Sequence, residues 1–166
     1  FKNDIKMVLD GGSCKNGIES TIIGFEDDEP IIYRLGALAL EDIEAVIGAV
    51  RIKNKKEENP DAPGMLDKHY SPLTRTILTS SITKEIKKYP NKKIGILTFN
   101  TSFKSDAISY EIILSKNKDL HEAGAKLYDA LHELDHLNLD VIIAERLPDT
   151  GLGKSVNDRL QRAAFH

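Results

Sequence analysis

One cysteine, Cys14, is all the thiol chemistry this sequence holds, so no internal disulfide can form, and the expected setting is a reducing, cytoplasmic compartment. No histidine lies near Cys14 in sequence to activate it as a nucleophile, and a plain small residue is the expected reading. Charge of one sign is not in excess: 23 Lys and Arg stand against 26 Asp and Glu, a net charge of -3. No overall positive field therefore draws the chain onto a nucleic-acid backbone or an anionic membrane. No apolar run approaches the length needed to cross a bilayer. The basic-then-apolar opening of a secretory signal is missing too, and no internal repeat or low-complexity tract is visible. The first residue is Phe1, not methionine, which carries the expectation of a chain processed or cut from something longer.

What is present belongs to a globular protein. The 166 residues are 40 % hydrophobic and 30 % charged, enough for one domain, or for one domain and a piece of another. The first fifty residues read as short strands, Ile5 to Leu9, Glu19 to Phe25 and Pro30 to Arg34, punctuated by Gly11, Gly12, Gly17 and Gly36. From Leu40 the period changes. Ile43, Val46, Ile47 and Val50 share a helical face, and Glu41, Asp42 and Glu44 fall in the first turn, where the helix dipole favours acids. Residues 51 to 75 lack such periodicity, holding a basic run, acids and three prolines, and read as an interdomain linker.

Strand and helix patterns then alternate: Thr76 to Thr79, a helix from about Thr83 to Tyr89, Lys93 to Thr98, Glu111 to Leu114, a helix from Asp119 to His136, Asp140 to Ala144, and a helix from Val156. This order predicts an α/β, Rossmann-like three-layer domain with a mostly parallel sheet over 76 to 166. The long helix is the clearest element. Leu120, Ala123, Leu127, Ala130, Leu131 and Leu134 make one stripe, and Asp119 with Glu122 makes a capping-box pattern.

Two motifs tempt and weaken when placed on these elements. His132-Glu133-Leu134-Asp135-His136 matches H-E-x-x-H, the zinc-binding pattern of a metallopeptidase, but both histidines project opposite the leucine stripe and should face solvent. Gly151-Leu152-Gly153-Lys154-Ser155 follows a strand and opens a helix, where a phosphate loop belongs. A Walker loop needs glycine where this chain has Pro148, which offers no N-H to a phosphate, so a glycine turn before a helix capped by Ser155 and Asp158 is expected, with a weaker anion site still open.

A third group of features carries more. Gly17-Ile18-Glu19-Ser20-Thr21-Ile22 puts Ser20 and Thr21 into an otherwise apolar strand, where buried hydroxyls must find partners. Arg34 ends the next strand in Tyr-Arg-Leu-Gly, and an arginine fork at a strand end suits a phosphate or carboxylate. Pro63-Gly64-Met65 and His69-Tyr70-Ser71-Pro72 stand in a linker otherwise poor in apolar residues, so that segment should lie on something.

A glycine-glycine turn, G-I-E-S-T-I, an R-x-G strand end, P-G-M-x-x-x-H-Y-x-P and a late G-L-G-x-x-x-N-D-R-L-x-R-A-A, in this order, resemble the long, two-domain form of the YrdC/Sua-type threonylcarbamoyl-AMP synthases over essentially the whole chain. Leu35 stands where that family usually has proline. The resemblance implies a nucleotidyltransferase that makes threonylcarbamoyl-AMP and pyrophosphate from L-threonine, bicarbonate and ATP, with Mg2+, feeding the machinery that modifies tRNA. It implies that Ser20 holds threonine, that Arg34 contacts the nucleotide phosphates and that Tyr70 closes over the nucleotide, with Thr21 and His69 as further contacts. It also implies that most of the catalytic domain lies upstream. Residues 1 to 50 would be its last strands and helix, 51 to 75 the linker and 76 to 166 an accessory domain, with no turnover expected from this chain alone. A non-catalytic module that gates the site is the other reading, and the zinc peptidase a remote third.

Overall fold

The computed structural model describes residues 4–12, 14–53 and 71–164 and divides their strands between two sheets. The first sheet is built from β1 (Ile22–Glu26), β2 (Glu29–Arg34) and β3 (Arg51–Ile52), in the order β1-β2-β3. Asp27 and Asp28 both adopt positive φ (52° and 63°), the geometry of a two-residue hairpin turn whose twist matches the antiparallel strands it joins. Helix α1 (Leu40–Ile47) crosses from β2 to β3, which pairs parallel to β2. Ile32, Leu35, Leu40, Ile43 and Val50 form its core.

The second sheet is wholly parallel, in the order β4-β7-β5-β6, with β4 at Thr76–Thr79, β5 at Ile94–Thr98, β6 at Ile108–Ile113 and β7 at Val141–Glu145. Its two central strands are buried from end to end but for Glu145, as expected of parallel strands covered on both faces. Helices α3 (Leu120–Asp135) and α4 (Leu152–Ala163) pack on one face with Leu97, Ile142 and Ala144. The short α2 (Ile82–Ile86) packs on the other with Ile94, Ile96 and Ile143. The three-layer α/β arrangement expected from the alternation is therefore present.

The stripe of α3 is buried as the periodicity demands, with Leu120 at its margin. The Asp119 carboxylate caps the helix by accepting from the His121 and Glu122 N-H groups, an interaction worth about 1 kcal/mol. The reciprocal half of the capping box is replaced: the Asp119 N-H donates to Ser115 Oγ, and Glu122 accepts from the Ser115 hydroxyl and from Lys126.

Four expectations need correcting. Ile5 to Leu9 forms no strand, and its side chains are exposed, because no neighbouring strand among the described residues supplies a hydrogen-bonding ladder. Val46 and Ile47 do not share the buried face of α1: they are 83 % and 49 % exposed, and the chain leaves the helix at Gly48 (φ 83°) so that Val50 returns to the core from outside it. Residues 51 and 52, read as the start of the linker, complete the first sheet as β3. The last helix starts at Leu152, one turn early, behind Gly151 (φ 50°), and neither Ser155 nor Asp158 caps it. Tyr70 and His69 lie outside the described residues. Among the described residues no helix is long and apolar enough to cross a membrane.

Candidate functional site

Gly36 is the position from which the site is built. A Cβ there would lie 2.3–2.4 Å from the Ser20 carbonyl carbon, the Thr21 nitrogen and the Glu19 oxygen, so only glycine lets the chain after β2 run against the chain before β1. The close approach is sealed by hydrogen bonds. The Ala37 N-H donates to the Glu19 carbonyl at 2.8 Å, and the Thr21 hydroxyl donates to the Leu38 carbonyl at 2.7 Å while accepting from the Leu38 N-H at 3.2 Å.

Across this junction the Arg34 guanidinium meets Ser20. Nε and Nη2 donate to the Ser20 carbonyl at 3.2 and 3.0 Å, and Nη2 also reaches Ser20 Oγ at 3.3 Å. The two residues singled out from separate strands are thus in direct contact. Ser20 and Thr21, with Asn16, Ile23, Ala37 and Leu38, line an open cavity of about 440 Å³. The expectation that the two hydroxyls are buried in a strand is corrected: both precede β1, Ser20 is exposed, and Thr21 is half-buried with its hydroxyl committed to Leu38. An exposed serine hydroxyl beside an arginine fork can receive the polar head of a small anion or zwitterion.

Glu19, one residue earlier, turns the other way, toward the second sheet's helices. Its Oε2 accepts from Arg159 Nε at 2.8 Å and from the Tyr128 hydroxyl at 3.2 Å. Burial works to raise the Glu19 pKa, but the Arg159 hydrogen bond and charge, with the Arg34 charge behind them, outweigh it and hold the carboxyl below the ordinary glutamate value of 4.5. Burial and the Glu19 charge push the Tyr128 phenol upward, so it stays a neutral donor.

The sign of the pH effect follows. A carboxyl whose folded pKa is depressed stabilises the fold fully above its unfolded value and loses that stabilisation as pH falls through the folded one. The melting temperature of the wild-type chain should exceed that of Glu19→Gln near neutral pH, and the two should converge as the pH falls below 4.5. A gap that persists or widens in acid would contradict the pairing.

Neighbouring segments add further anchors. Ser155, expected to cap α4, instead donates its buried hydroxyl to the Gly36 carbonyl at 2.8 Å. Gly17 lies so close to α3 that a Cβ would sit 2.4–2.7 Å from Ala125 backbone atoms, and Ile18 enters the α3–α4 core. The chain from Ser71 onward is tied to the same helices: the Leu73 and Thr74 N-H groups donate to the Asp135 carboxylate, and Ser71 Oγ donates to the Arg162 carbonyl.

The glycine loop at 151 to 155 is occupied from within. Glu41 Oε1 accepts from the Gly151 N-H at 3.2 Å and from Lys154 Nζ at 2.7 Å, so a carboxylate of α1 takes the position an external anion would have. His132 and His136 are exposed, as their place on α3 requires, with their rings stacked 6.3 Å apart. Glu133 between them accepts from the Tyr110 hydroxyl at 2.6 Å. No group of three or more His, Cys, Asp or Glu side chains suited to a metal ion occurs among the described residues.

Glu19, Tyr128 and Arg159 were missed in the sequence reading. A signal existed for one of them, since Arg159 sits inside the stripe of Leu152, Val156, Leu160 and Ala163, where an arginine must be buried and paired.

Comparison with known proteins agrees with the fold. Residues 38–165 match the family model described as threonylcarbamoyl-AMP synthase, C-terminal domain. Threonylcarbamoyl-AMP synthase of Bacillus subtilis is 34 % identical over 171 residues, covering 96 % of this chain and 49 % of the relative. That of Pyrococcus abyssi is 32 % identical, covering 99 % and 51 %. The crystal structure of P. abyssi Sua5 complexed with L-threonine superposes with a TM-score of 0.84 at 32 % identity, covering 99 % of this chain and 51 % of that one. A second solved structure, of a P. abyssi Sua5 variant, gives a TM-score of 0.82. The chain spans about half the length of the relatives it matches.

Proposed function

Since the chain belongs to the threonylcarbamoyl-AMP synthase family, matched through that family's C-terminal domain, we propose that it forms one wall of a site that condenses L-threonine, bicarbonate and ATP into threonylcarbamoyl-AMP and pyrophosphate. The observation that carries the reading is the contact of Arg34 with Ser20 on the rim of an open cavity. In this reading Ser20 receives threonine, the ligand named in the solved relative. Arg34, at the end of β2, meets the nucleotide phosphates. The threonine amino group and bicarbonate form a carbamate with loss of water; a carbamate oxygen attacks the α-phosphorus, and the bond from that phosphorus to the bridging oxygen breaks to release pyrophosphate. Negative charge accumulates on the phosphates in that step, and a fixed guanidinium lowers its cost. Mg2+ enters as the ion carried by ATP, with most of its ligands from phosphates and water.

The product is an activated intermediate that water destroys, so the site needs a cover. We assign this to Tyr70, with His69 beside it. The solved P. abyssi variant replaces a histidine and the tyrosine next to it with alanine, and this sequence has one His-Tyr pair, His69-Tyr70.

The relatives are about twice as long as this chain, and Ile23 and Phe25 of β1 are 40 % and 72 % exposed, which supports an upstream catalytic region packing on the first sheet. Residues 1 to 52, β3 included, then belong to the catalytic domain, 53 to 75 to the linker and 76 to 166 to the accessory domain. The test is pyrophosphate release. The complete polypeptide should release it only with threonine, bicarbonate and ATP together, and this chain alone should release none. Turnover by the isolated chain overturns the division of the site, and failure of the complete polypeptide overturns the activity.

A further inference from the structure

We propose that Arg159, on the accessory domain's last helix, is a positioning residue that sets the spacing of Ser20 and Arg34 from the side opposite the cavity. Its side chain is 4 % exposed. Nε donates to Glu19 Oε2 at 2.8 Å, and Nη2 donates to the Leu35 carbonyl at 2.8 Å. Glu19 immediately precedes Ser20, and Leu35 immediately follows Arg34. One planar fork on α4 thus holds the chain next to the threonine-side residue and the chain next to the phosphate-side residue at a fixed separation. The carbonyl it uses at Leu35 is available whatever side chain stands there.

The grip is itself held. Asp158 accepts from Arg159 Nη1 and from Arg162 Nε, and Tyr128 shares Glu19 from α3. Ser155, one turn earlier on α4, binds the Gly36 carbonyl between the two site segments. A shift of α4 relative to the first sheet would move both ends of the Ser20–Arg34 contact, so the accessory domain acts on substrate binding through this fork as well as through the linker. A lysine could keep the charge but not both acceptors, because an ammonium has no planar fork.

This inference rests on the function proposed above, and the experiment separates the two. In the complete polypeptide, Arg159→Lys and Glu19→Gln are each expected to raise the KM for threonine by roughly tenfold, with a smaller change in kcat, because the reacting groups are displaced while the chemistry is untouched. Combined, the two should be strongly non-additive, since each breaks the same contact. A kcat that falls at unchanged KM marks a merely structural role and overturns the proposal, as do unchanged constants in both variants. If Arg159→Lys does not fold, Glu19→Gln carries the test alone, since its amide keeps the shape of the carboxylate.

Hydrogen exchange on the chain described here gives a readout free of activity. The Ala37 amide, bonded to the Glu19 carbonyl, should lose protection in the Glu19→Gln chain while amides of β5 and β7 keep theirs. Retained Ala37 protection overturns the proposal. A wild-type polypeptide without threonine-dependent turnover overturns the function instead and leaves the exchange result to decide the positioning.

Discussion

Arg34→Ala is expected to lower turnover of the complete enzyme by about 10²- to 10³-fold, the scale of losing one fixed donor aimed at developing negative charge, with little change in melting temperature. The two halves of that expectation have different origins. Arg34 donates to the Ser20 carbonyl and hydroxyl, and Ser20 is exposed, so water can take over both acceptors when the guanidinium is removed. Neither Ser20 oxygen is then left as an unsatisfied buried acceptor. In the proposed function Arg34 faces the phosphates, and no water can replace its positive charge there. Arg34→Lys restores a charge but loses the bidentate hold on Ser20, and should recover only part of the rate. Steady-state pyrophosphate release, read beside a thermal melt of each variant, checks both halves. A variant that melts early and loses activity in proportion would make Arg34 a structural residue.

The second sheet was readable because its signals are local. β5 and β7 are short apolar runs bounded by polar residues, and the α3 stripe repeats at helical spacing behind an aspartate cap. The failures came where a local pattern needed a distant partner. Ile5 to Leu9 has the composition of a strand, but pairing decides whether a strand exists, and no neighbour among the described residues offers a ladder. The start of α4 was hidden by Gly151 and Gly153, which read as a turn. Position 153 lies within the helix yet must be glycine, because the Pro148 carbonyl oxygen is 1.9 Å from where a Cβ would be.

The site divides in the same way. Ser20 and Arg34 lie fourteen positions apart, at the edges of two strands that form one hairpin, and motif and register together bring them into contact. Glu19 and Arg159 are separated by 140 positions, and no spacing rule joins them. A charged residue in an apolar helical stripe announces a buried partner without naming it. The glycine loop shows the converse. Its sequence advertises an anion site, and the anion is Glu41 of the same chain.

Gly36→Ala should disrupt both the fold and the site. The added carbon would meet only backbone: the Ser20 carbonyl carbon and the Thr21 nitrogen at 2.3 Å and the Glu19 oxygen at 2.4 Å. A flexible side chain could swing away from such a contact, but these atoms belong to a segment pinned on its far side by Arg159 and by Ile18 in the α3–α4 core. Relief therefore requires the two segments to part, which breaks the Ala37–Glu19 and Thr21–Leu38 hydrogen bonds together. Overpacking of this kind costs roughly 1–3 kcal/mol and more where the surroundings cannot relax, so a loss at or above the upper end is expected. The same parting carries Ser20 away from Arg34, so threonine binding should fall further than stability does. Gly24→Ala is the control. There the added carbon would sit 2.4 Å from an atom of the Tyr33 ring, a side chain that can rotate, and both losses should be smaller. Chemical denaturation and threonine binding measured on the two variants rank them, and equal effects would mean that the Gly36 approach is not what holds the site segments together.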